Sequence, residues 1–111
     1  MATTLAITAE VLGHGDETLG RRLMVKFVQQ VAAWSPRPHA LVFYNGGVKL
    51  LLPSSPVVEA LKALEADGVE LVACGTCLDH YAIRDKLAAG RVSDMREILG
   101  FLMESDKAIV V

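Results

Sequence analysis

Short apolar runs alternate with longer segments in which apolar side chains recur every three or four positions, and this alternation spans the whole chain. Leu5 to Leu12 reads as a strand ending in Gly13-His14-Gly15-Asp16. Asp16 then offers an N-cap for a helix whose stripe is Leu19, Leu23, Phe27, Val31 and Trp34, and Pro36 and Pro38 force that helix to stop. Ala40 to Tyr44 is a second strand, broken by Asn45-Gly46-Gly47, after which Val48 to Leu52 reads as a short extension or edge segment. Ser55 caps a helix from Pro56 that turns Val57, Leu61 and Leu64 inward and ends at Asp67-Gly68. Val69 to Ala73 is a third strand leading straight into Cys74-Gly75-Thr76-Cys77. Asp79 to Leu87 reads as a short helix. Asp94 and Glu97 suggest a capping box for a helix from Met95 to Met103, with Met95, Ile98, Leu99 and Leu102 inward, and Ala108 to Val111 is a last strand.

Strands that are apolar on both faces, alternating with helices, predict an α/β domain of three α/β/α layers. Its central sheet would be mainly parallel, of four to five strands and flavodoxin/Rossmann-like, with residues 1–111 forming one domain. The hydrophobic fraction of 52% and mean hydropathy of +0.38 are high for a chain of 111 residues, and they point to self-association as a homo-oligomer. Eleven basic and 13 acidic residues, a net charge of -2, provide no field to gather nucleic acid or anionic lipid. No apolar run reaches the roughly 18 residues of a membrane span, and no basic segment followed by an apolar stretch marks a secretory signal. The expected compartment is the cytoplasm, without membrane association.

Thiols stay reduced in that compartment, so the two cysteines, three positions apart, read as a reactive site rather than a structural staple. Ligands of open parallel sheets bind beyond the carboxyl ends of the strands, which selects the loops Gly13 to Asp16, Asn45 to Gly47 and Cys74 to Cys77. Gly75 would allow both sulfurs to face one cavity. Thr76 could hydrogen-bond a sulfur or cap the following helix, Lys49 or His14 could supply the positive charge that populates a thiolate, and His80, one turn beyond Cys77, could tune it. Against this stands a plain packing role, since free cysteine is often core, and glycines that only make turns. A thioredoxin-like dithiol would follow the first strand of its motif and face a later proline, yet no proline lies after Pro56. Zinc on Cys74, Cys77 and His80 would lack a fourth ligand unless His14 came near. Gly13-His14-Gly15 lacks both the third glycine of a dinucleotide fingerprint and the lysine-serine of a P-loop. No cofactor and no metal is expected. His39, beside two prolines, and Asp79 and Asp85 read as ordinary surface residues.

Four ordered blocks then carry a resemblance: Leu12-Gly13-His14-Gly15-Asp16-Glu17 with Leu19-Gly20, Phe43 to Leu50, Cys74-Gly75-Thr76-Cys77-Leu78, and Gly90-Arg91-Val92-Ser93-Asp94-Met95. In these the chain resembles the DsrE/DsrF-like family, most closely the C-terminal domain of YedF-type proteins of selenium and sulfur metabolism. The resemblance implies an oligomeric α/β/α domain and a cysteine, matched by Cys74, that carries sulfur as a persulfide between partner proteins, with Cys77 as the extra thiol of the YedF-like group; thiol chemistry then gives Cys77 the part of a resolving thiol. It implies a sulfurtransferase-like carrier of sulfur or selenium, with a cysteine desulfurase or a separate TusA-like protein as partner. The TusA-like domain that usually precedes this one in YedF-type proteins is not in this chain. The alternative from another class is a non-catalytic binding or assembly module, or a thiol redox sensor. A second thiol beside a persulfide can attack it, releasing sulfide and leaving a disulfide.

Overall fold

A computed structural model describes residues 2–111. Five strands, β1 (Thr3–Ile7), β2 (Ala40–Phe43), β3 (Glu70–Cys74), β4 (Arg91–Ser93) and β5 (Lys107–Val110), form one sheet in the order β4-β3-β2-β1-β5, every neighbouring pair parallel. Four α-helices connect them: α1 (Glu17–Ala33), α2 (Val58–Ala66), α3 (Gly75–His80) and α4 (Met95–Glu104). The sheet is thus the central layer of a three-layer α/β/α fold.

Alternation along the strands divides the core. Leu5, Ile7, Leu41, Phe43, Leu71 and Ala73 point to the face covered by α1 and α2, where Met24, Val28, Leu61 and Leu64 meet them. Ala6, Val42, Val72 and Cys74 point to the opposite face, where α4 contributes Ile98. Among the described residues no helix is long and apolar enough to cross a membrane.

Several expected elements are displaced. β1 ends at Ile7 rather than Leu12, because the chain from Thr8 onward folds back against α1, where Leu12 N–H donates to the Gly20 carbonyl at 3.0 Å. That contact also sets the rotation of α1. A Cβ at position 20 would lie 2.8 Å from the Val11 Cβ, so Gly20 must face the loop, and Gly20, Met24 and Val28 form the buried row. Leu19 is 50% exposed, Trp34 is 65% exposed and Leu23 is also in solvent, whereas Phe27 and Val31 are half-buried against the core, so the buried row runs one residue, about 100°, beside the expected stripe and only Phe27 and Val31 of that stripe share in the core.

The inward face of α4 is likewise narrower than its apolar positions suggest. Only Ile98 is fully buried, Leu102 is half-buried, and Met95 and Leu99 point outward. Asp16 and Asp94 do cap their helices, accepting from Leu19 N–H at 2.7 Å and Glu97 N–H at 2.9 Å. The Glu97 carboxylate does not complete a capping box. It is held instead by Arg91 at 2.8 Å and by the Ser93 hydroxyl.

Ser55 accepts from Val57 N–H at 3.2 Å, and α2 begins only at Val58. The segment after β2 is neither a strand nor an edge but a 3-10 helix, Asn45–Leu51, that buries Val48, Leu50 and Leu51. The expected helix from Asp79 to Leu87 is replaced by α3, which starts immediately after Cys74. It ends where Ala82, at φ 56°, takes a left-handed turn and Ile83 N–H returns to the Leu78 carbonyl at 2.9 Å. Strand β4 gave no apolar run to read, being three residues on an edge.

Candidate functional site

Cys74 is the last residue of β3 and the N-cap of α3, so no loop separates strand from helix. Its side chain follows the alternation of β3 into the core on the α4 side and is only 2% exposed. Cys77 lies in the first turn of α3, half-buried, and both thiols are free. The sequence reading gave Cys74 the sulfur-bearing role; the fold makes Cys77 the thiol that a reagent reaches first.

Gly75 allows the abrupt strand-to-helix junction. A Cβ there would sit 2.8 Å from Arg84 Nη2 and 2.9 Å from the Ser93 carbonyl oxygen, so the helix start can lie against β4 only without a side chain. Arg84 in turn holds Asp79 through two hydrogen bonds of 2.7 and 2.9 Å. The Asp79 carboxyl is thereby held below its ordinary range, and its charge is matched before it can act on the sulfurs.

The loop after β2 supplies the contact to Cys77. Asn45 stands at φ 52°, a left-handed conformation that asparagine tolerates better than most residues. Its main-chain N–H donates to Cys77 Sγ at 3.0 Å. Gly47 follows under the end of β1, where a Cβ would fall 2.0 Å from the Ile7 carbonyl oxygen. Gly46 is less constrained, its nearest neighbour being Ala9 Cα at 3.7 Å. The second loop therefore lies between the end of β1 and the first turn of α3 and touches both.

Tyr81 belongs to this arrangement although the sequence reading passed over it. Its hydroxyl donates to Asn45 Oδ1 at 3.2 Å, Lys49 Nζ lies 4.2 Å from the centre of its ring, and His80 packs edge-on against it at 5.0 Å. The available signal was spacing, since position 81 is one helical turn beyond position 77.

Other expected neighbours are elsewhere. Lys49 stacks on Tyr81, and no contact of its ammonium with a sulfur is seen. Thr76 is exposed and α3 has no side-chain cap. His14 is exposed in the first loop, whose Asp16 is committed to capping α1. Among the described residues no three potential ligands converge on a metal position, so Cys74, Cys77 and His80 do not form the zinc set considered above.

The electrostatics run against a standing thiolate. Burial pushes the Cys77 thiol above its ordinary value, the Asn45 N–H draws it partway back, and the neighbouring Cys74 thiol adds to the upward push. The balance of these effects disfavours the charged form of Cys77.

A parallel α/β/α domain with a partly shielded cysteine pair at the carboxyl end of its third strand defines the class of protein. The chain belongs to the DsrE/DsrF-like family, whose model matches residues 9–111. It is similar in fold to YchN from E. coli, with a TM-score of 0.75 at 15% identity over 100% of both chains. It is also similar to MTH1491 of Methanobacterium thermoautotrophicum, a protein of unknown function, with a TM-score of 0.69 at 21% identity over 99% of this chain and 98% of that one. BT1422 of Bacteroides thetaiotaomicron, also of unknown function, gives 0.61 at 14% identity over 97% and 94%. No curated protein matches. At these identities the three structures share the fold and nothing more specific.

Proposed function

We propose that this domain is a cytoplasmic sulfur or selenium carrier that holds the transferred atom as a persulfide on the Cys74/Cys77 pair. The observation that carries this reading is the Asn45 N–H aimed at Cys77 Sγ at 3.0 Å, a fixed donor for a sulfur that becomes anionic during transfer. In the proposed step the Cys77 thiolate attacks the outer sulfur of a donor persulfide and forms a new S–S bond, while the donor leaves as its own thiolate. Cys74, buried behind it, then attacks Cys77 Sγ, which expels hydrosulfide and leaves a Cys74–Cys77 disulfide. The thiol of the resting site is mostly protonated, so transfer depends on a docked donor that completes the environment of Cys77. A cysteine desulfurase or a TusA-like protein has the required chemistry. Exposed Met95, Leu99, Met103, Ile109 and Val110 support self-association or partner docking.

The same upward shift of Cys77 favours a second reading, a binding module or redox sensor whose dithiol does not carry sulfur. Incubation with a cysteine desulfurase and cysteine, followed by intact-mass measurement, decides between them. In Cys74→Ser, where the release step is missing, the carrier gains one sulfur atom as a long-lived persulfide; the parent gains it only in passing and ends as the disulfide, two hydrogens lighter than the dithiol; and Cys77→Ser gains none. A protein that stays unmodified with every persulfide donor is not a carrier.

A further inference from the structure

Tyr81 carries no role in the sequence motifs, yet it joins the two loops that meet at the accessible sulfur. Its hydroxyl donates to Asn45 Oδ1 at 3.2 Å, and the main chain of that same asparagine donates to Cys77 Sγ at 3.0 Å. Asn45 is held at φ 52°, where a non-glycine residue needs local support, and its side-chain amide is otherwise in solvent. On the ring itself, Lys49 Nζ rests 4.2 Å from the centre, anchoring the aromatic plane from the 3-10 helix.

We propose that Tyr81 is a positioning residue for Cys77, fixing through the Asn45 side chain the left-handed turn that aims the Asn45 N–H at the sulfur. Rotation of Asn45 toward ordinary dihedrals would swing that N–H away, and the sulfur would lose its donor. Tyr81 touches neither the reacting sulfur nor a substrate; it acts through Asn45. The groups on Cys77 are the Cys74 thiol from β3 and the Asn45 N–H from the 3-10 helix; Lys49 from the 3-10 helix and His80 from α3 pack on the Tyr81 ring beside them. Asp79 and Arg84 form a closed pair. The arrangement therefore contains a hydrogen-bond donor and a cation but no unmatched carboxylate, and loss of the donor moves Cys77 ionisation toward higher pH.

This proposal refines the sulfur-carrier reading by naming what orients its entry thiol, but its test requires no sulfur donor. Cys77 is alkylated with iodoacetamide across roughly pH 6.5 to 10.5, about two units either side of an ordinary thiol value, in a Cys74→Ala background so that one sulfur is read. Tyr81→Phe keeps the ring and the Lys49 stack and removes only the hydroxyl. It should shift the alkylation profile to higher pH and slow the reaction at pH 7 by about three- to tenfold, the effect of one modest hydrogen bond. Asn45→Gly retains access to the left-handed turn but loses the tether, and should produce a similar shift. The double variant should be no slower than the slower single one, since both changes remove the same link. A Tyr81→Phe profile that superimposes on its parent, or a double variant with fully additive effects, overturns the proposal. Failure of sulfur uptake in the desulfurase experiment, with these shifts intact, would instead remove the carrier reading and leave Tyr81 as a tuner of Cys77.

Discussion

An alanine at position 47 would bring its Cβ to 2.0 Å from the carbonyl oxygen of Ile7 and 2.7 Å from the carbonyl carbon. Both atoms belong to the main chain at the end of β1, and that carbonyl already accepts from Tyr44 N–H at 3.3 Å. Neither can move aside as the tip of a flexible side chain would. Real Cβ contacts essentially never fall below 3.0 Å, so the 3-10 helix or the end of β1 must shift by about 1 Å. A forced main-chain shift in a close-packed interior costs about 3 kcal/mol once a strained hydrogen bond is included. For a domain of this size that lowers Tm by roughly 10 to 15 °C. The shift would also move Asn45, two residues upstream, and so slow alkylation of Cys77. Gly46→Ala is the matched control: its nearest neighbour would be at 3.7 Å, an ordinary contact, and its stability should stay within about 0.5 kcal/mol of the parent. Urea unfolding followed by far-UV circular dichroism, with Cys77 alkylation in parallel, measures both effects. Equal midpoints for Gly47→Ala and Gly46→Ala would refute the close-approach argument, whatever the alkylation rates.

Two further outcomes follow from the neighbourhood of β4. Gly75→Ala should lower stability by roughly 1 to 3 kcal/mol, because Arg84 can withdraw from the new methyl group but the Ser93 carbonyl at 2.9 Å cannot; an unchanged melting temperature would show that α3 is not pressed against β4. The Glu97 carboxyl, hydrogen-bonded by Arg91 and Ser93, is depressed to about 2 from an ordinary 4.5. Its stabilisation is therefore present above the ordinary value and is lost as pH falls from about 4.5 toward 2. The side chain is 39% exposed, so solvent screening reduces that contribution to the order of 1 kcal/mol. Glu97→Gln should be less stable than the parent at pH 7 and equal to it near pH 2; a gap that persists unchanged in acid contradicts the ion-pair account.

Which elements were legible depended on how much of the signal was local. β2 and β3 announced themselves as apolar runs because both of their faces are covered, and Asp16 and Asp94 were readable as caps because an N-cap bonds within its own first turn. β4, three residues on an edge, had no such pattern. Helix rotation was legible only in part for α1 and α4, where Phe27, Val31, Ile98 and Leu102 do face the core, since both helices carry apolar residues on more than one side and the choice between adjacent stripes rests with what lies opposite. The end of α3 was invisible because Ala82, rather than a glycine, adopts the left-handed turn. At the candidate site, spacing alone brought the cysteines together and marked glycines where chain approaches chain, as Gly47 and Gly75 do. It could not weigh Gly46 against Gly47, nor remove His14 and Thr76 from the group.

The order of residues by itself determined the alternation of strand and helix, the parallel character of the sheet, and the delivery of Cys74 and Cys77 to the end of β3. Periodicity, capping and turn chemistry act over a few residues, and the sequence states them directly. Only the tertiary structure decided which sulfur faces solvent, that the main chain of Asn45 supplies its hydrogen bond, and that Lys49 lies on Tyr81. These are relations between segments more than 30 positions apart, with |i−j| of 32 for Cys77 with Asn45 and 36 for Tyr81 with Asn45. They depend on strand register and helix rotation, which packing sets and no local pattern encodes.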